Sequence, residues 1–284
     1  MAISIACLGP PGTNAEAAAL AYSHFLKNST GEEALLCPYS NIAQTLRCVA
    51  QREADLAVVP VENSIGGSVA VALDTLWQLE GLQIQQALVL PIAHVLVSRA
   101  PSLAKIQTVY SHPQALAQCQ QWLEQFLPVA QLLAANSTTE ALERLDRDLT
   151  SGAIASPRAA QLYKLPILAS EIGDHPDNCT RFWVVGLQPA TGGTSLSLAF
   201  SVAKNVPGTL VKPLQVFAQR GINMSRIESR PTKRLLGEYI FFIDLEADTR
   251  QPQVQAALAE LAEYAAVLKI LGNYNVLSIG DRDR

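Results

Sequence analysis

Residues 195–202 read Ser-Leu-Ser-Leu-Ala-Phe-Ser-Val, and the fold of the C-terminal third follows from this stretch. Leu196, Leu198, Phe200 and Val202 alternate with small or polar residues, the period of a strand with one buried face. Leu210, Leu214, Phe217 and Ala218 then recur at helical spacing up to Gly221. Strand-like runs follow at 222–227 and 238–245, a helical stretch covers 254–266, and 268–271 reads as a last strand. The order β-α-β-β-α-β predicts a ferredoxin-like module over residues 195–275.

Immediately before it, residues 188–194 (Gln-Pro-Ala-Thr-Gly-Gly-Thr) form a polar, Gly-containing break between apolar runs, which bounds a first domain at 1–188. Within that domain, short apolar runs at 3–8, 56–59, 88–97 and 153–155 alternate with segments of helical period. This is the pattern of an α/β sheet with some parallel strands, whose ligands sit beyond the carboxyl ends of the strands.

Composition agrees with more than one core: 284 residues exceed the usual size of a single domain. Charged residues make up 16% of the chain, below the roughly 25% of an ordinary globular protein, so surface buried between subunits is expected. A net charge of -4 without a dense basic cluster argues against nucleic acid or membrane as partner and favours a small ligand. The opening MAISIACLGP lacks a basic leader region and is cut by Gly9-Pro10-Pro11, so a cytoplasmic protein is expected. Five cysteines, an odd number without CxxC spacing, read as reduced thiols, and no metal site is expected.

Four segments carry candidate site residues. Residues 8–14 (Leu-Gly-Pro-Pro-Gly-Thr-Asn) join the first strand to a helical segment at 15–25, and the N–H groups around Gly12 and Thr13 can seat an anion, or simply form a tight turn. Residues 59–67 place Glu62, Asn63 and Ser64 just after a strand, where they line a crevice or shape the turn and cap a helix expected from about Ser68. Ser111-His112-Pro113-Gln114 has the form of a capping box, with Ser111 at the N-cap, before a helix carrying Leu116, Cys119, Leu123 and Phe126 on its apolar stripe and Gln118 beside it. Residues 137–140 (Ser-Thr-Thr-Glu) form a second such box. His24, His94 and His175 have no companion suggesting ligation and read as structural or exposed. Residues 172–182 run from a polar loop into an apolar strand, where Thr180 and Arg181 can offer a hydroxyl and a cation to a carboxylate, or serve as a strand-edge Thr and a surface ion pair.

Taken together and in order, GPPGT (9–13), VPVENS (59–64), SHPQALAQC (111–119), GAIAS (152–156), DNCTRF (177–182), PGTL (207–210) and ESRP (228–231) resemble the prephenate dehydratase family over nearly the whole chain. The resemblance implies an α/β, two-lobed catalytic domain like the periplasmic binding proteins, with its active site in the cleft, followed by a ferredoxin-like ACT domain. It implies Thr180 as lead catalytic residue, Glu62, Asn63, Ser64, Ser111 and Gln118 as further catalytic candidates, and Gly12, Thr13, His112, Arg181 and Phe182 as substrate contacts. Asn205, Pro207, Gly208, Thr209 and Leu210, with Glu228, Ser229, Arg230 and Pro231, match the family's effector motifs. Their implied ligand is L-phenylalanine, held where ACT modules pair in a homodimer or homotetramer. Two departures are Asn14-Ala15, where members commonly carry an aromatic residue and Ser, and Thr209, where Ala is usual.

Prephenate is a dicarboxylate whose ring hydroxyl leaves while the ring carboxylate departs as carbon dioxide, so aromatisation drives the reaction and no cofactor is expected. Thr180 would donate a hydrogen bond to the leaving oxygen; Glu62 or His112 would supply the proton; Arg181 and the Gly12-Thr13 amides would hold carboxylate. Arogenate dehydratases share the fold and the chemistry. A non-catalytic amino-acid sensor would not need the threonine of TRF, and a fusion to a helical mutase segment is not expected of a sequence that opens on its first strand.

Overall fold

The apolar run at the start forms β1 (Ile3–Leu8), followed by α1 (Asn14–Thr30), β2 (Ala34–Tyr39), α2 (Ile42–Ala50), β3 (Leu56–Asn63), the two-residue β4 (Gly67–Ser68), α3 (Ala70–Gln78) and β5 (Gln83–Pro91). The structure is a computed structural model and describes residues 2–135, 137–146 and 148–280. β1 runs parallel to β2 and β3. Ala18, Ala19 and Tyr22 of α1 cover one face of this sheet with Ile5, Val58 and Leu88; Leu46, Val49, Leu73 and Leu76 of α2 and α3 cover the other with Ala57, Val59 and Val61. Burial on both faces is why these strands read as unbroken apolar runs. α1 exceeds its expected 15–25 because the Thr13 hydroxyl caps its start, accepting from Glu16 N, and Gly31 at φ 76 ends it.

The apolar run at 88–97 is not one strand. β5 stops at Pro91 and residues 92–94 carry the chain into a second lobe, where β6 (Val95–Ser98) begins. This lobe holds β7 (Thr108–Ser111), α4 (Pro113–Ala117), α5 (Gln120–Phe126), β8 (Gln131–Ala134), α6 (Thr138–Glu143), β9 (Ser151–Ala155), α7 (Pro157–Leu162) and β10 (Ile167–Ala169), with its sheet in the order β10-β6-β9-β7-β8. Residues 170–178 cross back, and β11 (Cys179–Gly186) inserts antiparallel between β3 and β5. Two sheets joined by two crossovers are the expected two lobes.

The C-terminal module has the expected order: β12 (Ser195–Ser201), α8 (Val211–Ala218), β13 (Asn223–Pro231), β14 (Tyr239–Glu246), α9 (Pro252–Tyr264) and β15 (Val267–Ser278). Its last strand is much longer than the expected 268–271. Residues 267–274 pair with β12, and residues 275–278 continue parallel to β5 of the first lobe. The two sheets therefore fuse into one of ten strands, ordered β13-β14-β12-β15-β5-β11-β3-β1-β2 with β4 beside β3. Gly272 permits the transition, since a Cβ there would lie 2.4 Å from the Ile84 carbonyl oxygen. The expected boundary near residue 188 lies between β11 and β12, while residues 275–278 return to the sheet of the first lobe.

Candidate active site

Both crossovers meet the ends of β3 and β11, and a cluster of neutral polar side chains forms there. Thr180 pairs in register with Asn63, the last residue of β3. Asn63 Oδ1 accepts from the backbone N–H groups of Ile65 at 3.1 Å and Gly66 at 2.8 Å. It thus shapes the turn, while α3 starts later, at Ala70, behind Val69 and without a side-chain cap. Asn63 Nδ2 donates to Asn178 Oδ1 at 2.7 Å and to Thr180 Oγ1 at 3.0 Å. From the second lobe, Gln118 Nε2 donates to Asn63 Oδ1 at 3.1 Å. Gln118 Oε1 accepts from Asn178 Nδ2 at 3.1 Å and lies 2.9 Å from His94 Nε2. Thr180 is 9% exposed, the most of the five, so this is a buried network at the lobe junction.

Thr180, Asn63 and Gln118 are brought together as the resemblance implied. Asn178 and His94 were not singled out. Asn178 could have been found, two residues before Thr180 in a motif already quoted. His94 lies in an apolar run and gives no such signal. Burial depresses its pKa below the ordinary 6.5, with the Gln118 bond opposing, so the imidazole is neutral. Behind the cluster, burial pushes the Cys119 thiol up to about 12 and that of Cys7 to about 11, leaving both protonated.

Glu62 and Arg181 turn the other way, because neighbouring side chains on a strand point to opposite faces. Arg181 lies 3.4 Å from Glu62 and 2.9 Å from Asp244 of β14, and Arg226 of β13 lies 3.5 Å from Glu62 and 3.6 Å from Asp244. Arg226 also donates to Ser68 Oγ at 2.7 Å, and Ser68 donates to Glu228 at 3.0 Å. Glu62 and Arg181, expected to serve the cleft, instead tie the first lobe to the C-terminal module. Phe182, an expected substrate contact, is 1% exposed in the core against α1.

The serines also differ from expectation. Ser111 is fully buried at the end of β7 and donates to the Ile154 carbonyl at 2.8 Å. Pro113 takes the first helical position, so the N-cap falls on His112, whose Nδ1 accepts from Gln114 N at 3.2 Å. The single helix expected after it is two, α4 and α5, with Asp174 accepting from Gln121 N and Trp122 N at the start of the second. Ser64 is exchanged with Cys179, accepting from its N–H at 3.0 Å and donating its own N–H to its carbonyl at 2.9 Å, which pins the start of β11. Ser137 caps α6 as expected, its Oγ accepting from Glu140 N.

At the turn between β1 and α1, Gly12 N–H does meet a carboxylate, but it belongs to Glu16, at 2.7 Å. Arg158 of the second lobe pairs with the same oxygen at 3.1 Å, and Ser156 donates to the Gly12 carbonyl at 3.1 Å. Thr13 Oγ1 is engaged with Leu8 O and Glu16 N.

In the C-terminal module, Pro207, Gly208 and Thr209 line a hollow of ≈ 360 Å³ with Lys212 and Tyr264. Thr209 Oγ1 donates to Lys204 O, Asn205 Nδ2 donates to Gly237 O, and Leu210 packs on the module's core. Pro231 lines a different hollow, of ≈ 640 Å³, with Trp77 and Lys233. Arg230 makes two bonds to Asp74 of α3, at 3.0 and 3.2 Å, and Ser229 is exposed on β13 opposite Phe241. The two candidate effector motifs thus share no hollow within one chain.

The prephenate dehydratase family profile matches residues 5–190 and the ACT domain profile matches residues 197–263. The bifunctional chorismate mutase/prephenate dehydratase of Aquifex aeolicus is 42% identical over 96% of this chain and 73% of its own length. The prephenate dehydratase of Lactococcus lactis is 37% identical over 98% of this chain and 100% of its own. The crystal structure of a prephenate dehydratase from Arthrobacter aurescens, in complex with L-Phe, superposes with a TM-score of 0.85 at 35% identity, covering 96% of this chain and 90% of that one. With the Thr180 cluster seated where its two lobes join, this chain belongs to the prephenate dehydratase family and carries a C-terminal ACT domain.

Proposed function

We propose that the chain converts prephenate to phenylpyruvate at the Thr180 cluster and that L-phenylalanine restrains it through the ACT domain. The observation that carries the first half is the bond from Asn63 Nδ2 to Thr180 Oγ1. Among the described residues Thr180 Oγ1 acts only as acceptor, so its own hydrogen is free for an oxygen in the cleft. That oxygen is the departing hydroxyl. As the bond to the ring carboxylate breaks, its electrons enter the ring, the carbon–oxygen bond opens and charge grows where Thr180 donates. An unperturbed Thr is too weak an acid to complete the transfer. Of the two candidates for completing it, Glu62 is held by Arg181 and Arg226 on the opposite side of the strand, which leaves His112.

The second half draws on the Arthrobacter relative's L-Phe complex and on the hollow beside Gly208. A second copy would complete the effector site, since the two motifs share no hollow within one chain. β13 is an edge of the large sheet, with Leu235 66% and Leu236 fully exposed in the turn after it, which supports pairing of two chains there. Among the described residues no helix is long and apolar enough to cross a membrane, in keeping with a cytoplasmic enzyme. The test is phenylpyruvate formation by purified protein from prephenate, with arogenate in parallel and phenylalanine present or absent, and sedimentation under the same conditions. Ligand binding without product, or a monomer throughout, would overturn the corresponding half.

A further inference from the structure

The contacts around Asn63 fix the orientation of every amide in the cluster. Asn63 Oδ1 faces two backbone N–H groups, and Nδ2 faces the Cys179 carbonyl at 3.1 Å. A backbone N–H can only donate and a carbonyl can only accept, so this amide has one orientation. Gln118 must then present Nε2 to Asn63 Oδ1, which turns Oε1 towards Asn178 Nδ2 and His94 Nε2. The chain of constraint ends on the imidazole. His94 has to carry its proton on Nε2, and its Nδ1 is left buried with no partner among the described residues. An unpaired buried nitrogen is costly and calls for a reason.

We infer that His94 is a positioning residue for the dehydration: by donating from Nε2 to Gln118 Oε1 it holds the donor end of Gln118 on Asn63, and Asn63 in turn holds Thr180. The inference rests on the assignment of Thr180 and its neighbours as the reacting centre. His94 is a positioning residue and not a proton donor, because its one hydrogen is already directed at Gln118. It sits on the first crossover, while Asn178, the other residue on Gln118 Oε1, sits on the second. Gln118 is thus steadied from both crossovers before it reaches the first lobe.

The test compares His94→Leu, which removes the donor, with His94→Gln, whose amide places an N–H near the Nε2 position, in the full-length chain alongside Thr180→Ala. His94→Leu should lower kcat roughly tenfold, the scale of one hydrogen bond, with KM little changed. His94→Gln should recover most of that kcat and leave its pH profile unaltered. Nitrogen NMR of the wild-type imidazole should show the Nε2–H tautomer, a measurement independent of whether any variant folds. Wild-type kcat in His94→Leu, equal losses in the two variants, or an Nδ1–H tautomer would overturn the inference. A fully active Thr180→Ala would instead sink the assignment beneath it, so the two failures are distinguishable.

Discussion

Thr180 and Arg181 are consecutive residues of β11 that serve different domains: the hydroxyl lies 3.0 Å from Asn63 Nδ2 at the lobe junction, and the guanidinium lies 2.9 Å from Asp244 of the ACT domain. One strand thereby has the proposed reacting group on one face and the anchor of the regulatory domain on the other.

On the first face, Thr180→Ala should fold as the wild type and lose roughly 10²–10³ in kcat, the scale of a removed transition-state donor. Thr180→Ser keeps the hydroxyl and should keep part of the rate. Steady-state kinetics with prephenate decide it; near-wild-type turnover by Thr180→Ala would remove the mechanism.

On the second face, Asp244→Asn removes the more deeply buried of the two carboxylates that Arg181 and Arg226 share, leaving them Glu62. The Asp244 side chain is only 5% exposed, so the loss should be about 3–5 kcal/mol of stability. Thermal melts should show that drop while KM for prephenate stays close to wild type at a temperature where the variant is folded. A large rise in KM for Arg181→Met would return Arg181 to the substrate.

Asp74 gives the domain contact a pH dependence. Burial raises its carboxyl pKa, but Arg230 and Lys233 outweigh that and hold it below the ordinary 3.8. A depressed carboxyl stabilises the fold above its unfolded value and loses that contribution as pH falls through the folded one. The contact should therefore be constant from pH 7 to 5 and weaken below about 4. Asp74→Asn should melt lower at pH 7 and lose less than wild type on acidification; parallel melting curves for the two proteins would contradict this.

Gly208 stands at φ 80, and no atom lies within 4 Å of where a Cβ would be. A side chain there strains the turn without filling space in this chain. Gly208→Val should weaken inhibition by phenylalanine and leave uninhibited kcat unchanged, as read from inhibition curves. An unaltered curve would place the effector away from this turn.

Truncation near Gly193 should not yield a simple phenylalanine-blind enzyme, because it removes the end of β15 from β5. Ile279 is 4% exposed in the first-lobe core and donates its N–H to Val89 O at 2.9 Å. Ile279→Ala alone should cost about 2–4 kcal/mol, measurable by denaturant unfolding. A fully stable truncated chain would show that the lobe does not depend on this strand.

The parts of the fold legible in the sequence were those with a repeating pattern. Period-2 alternation at 196–202 and helical spacing after it identify the ferredoxin-like module, because one-sided burial writes itself into composition. The double life of β15 was not legible: Asn275 to Ser278 carry no signal of which sheet they join, and the register with β5 is set by a strand nearly 190 residues away. In the cluster, motif resemblance named Thr180, Asn63 and Gln118 but not which side of the strand each neighbour faces. Alternation along β3 and β11 would have separated Glu62 and Arg181 from them, had the pairing of those strands been known. Ser111 reads as a cap in the sequence, but Pro113 takes the first helical position and shifts the cap to His112.

The shared strand also bears on the order in which the protein can be made. During synthesis the first lobe emerges with β5 unflanked on one side, and its missing neighbour is encoded at residues 275–278, after the rest of the ACT domain. Everything between β5 and residue 278 must leave the ribosome before this sheet is whole, so the nascent lobe passes through a stage with an open edge. Completion of the regulatory domain and completion of the catalytic sheet are thus one folding event, and a chain interrupted late in translation lacks both.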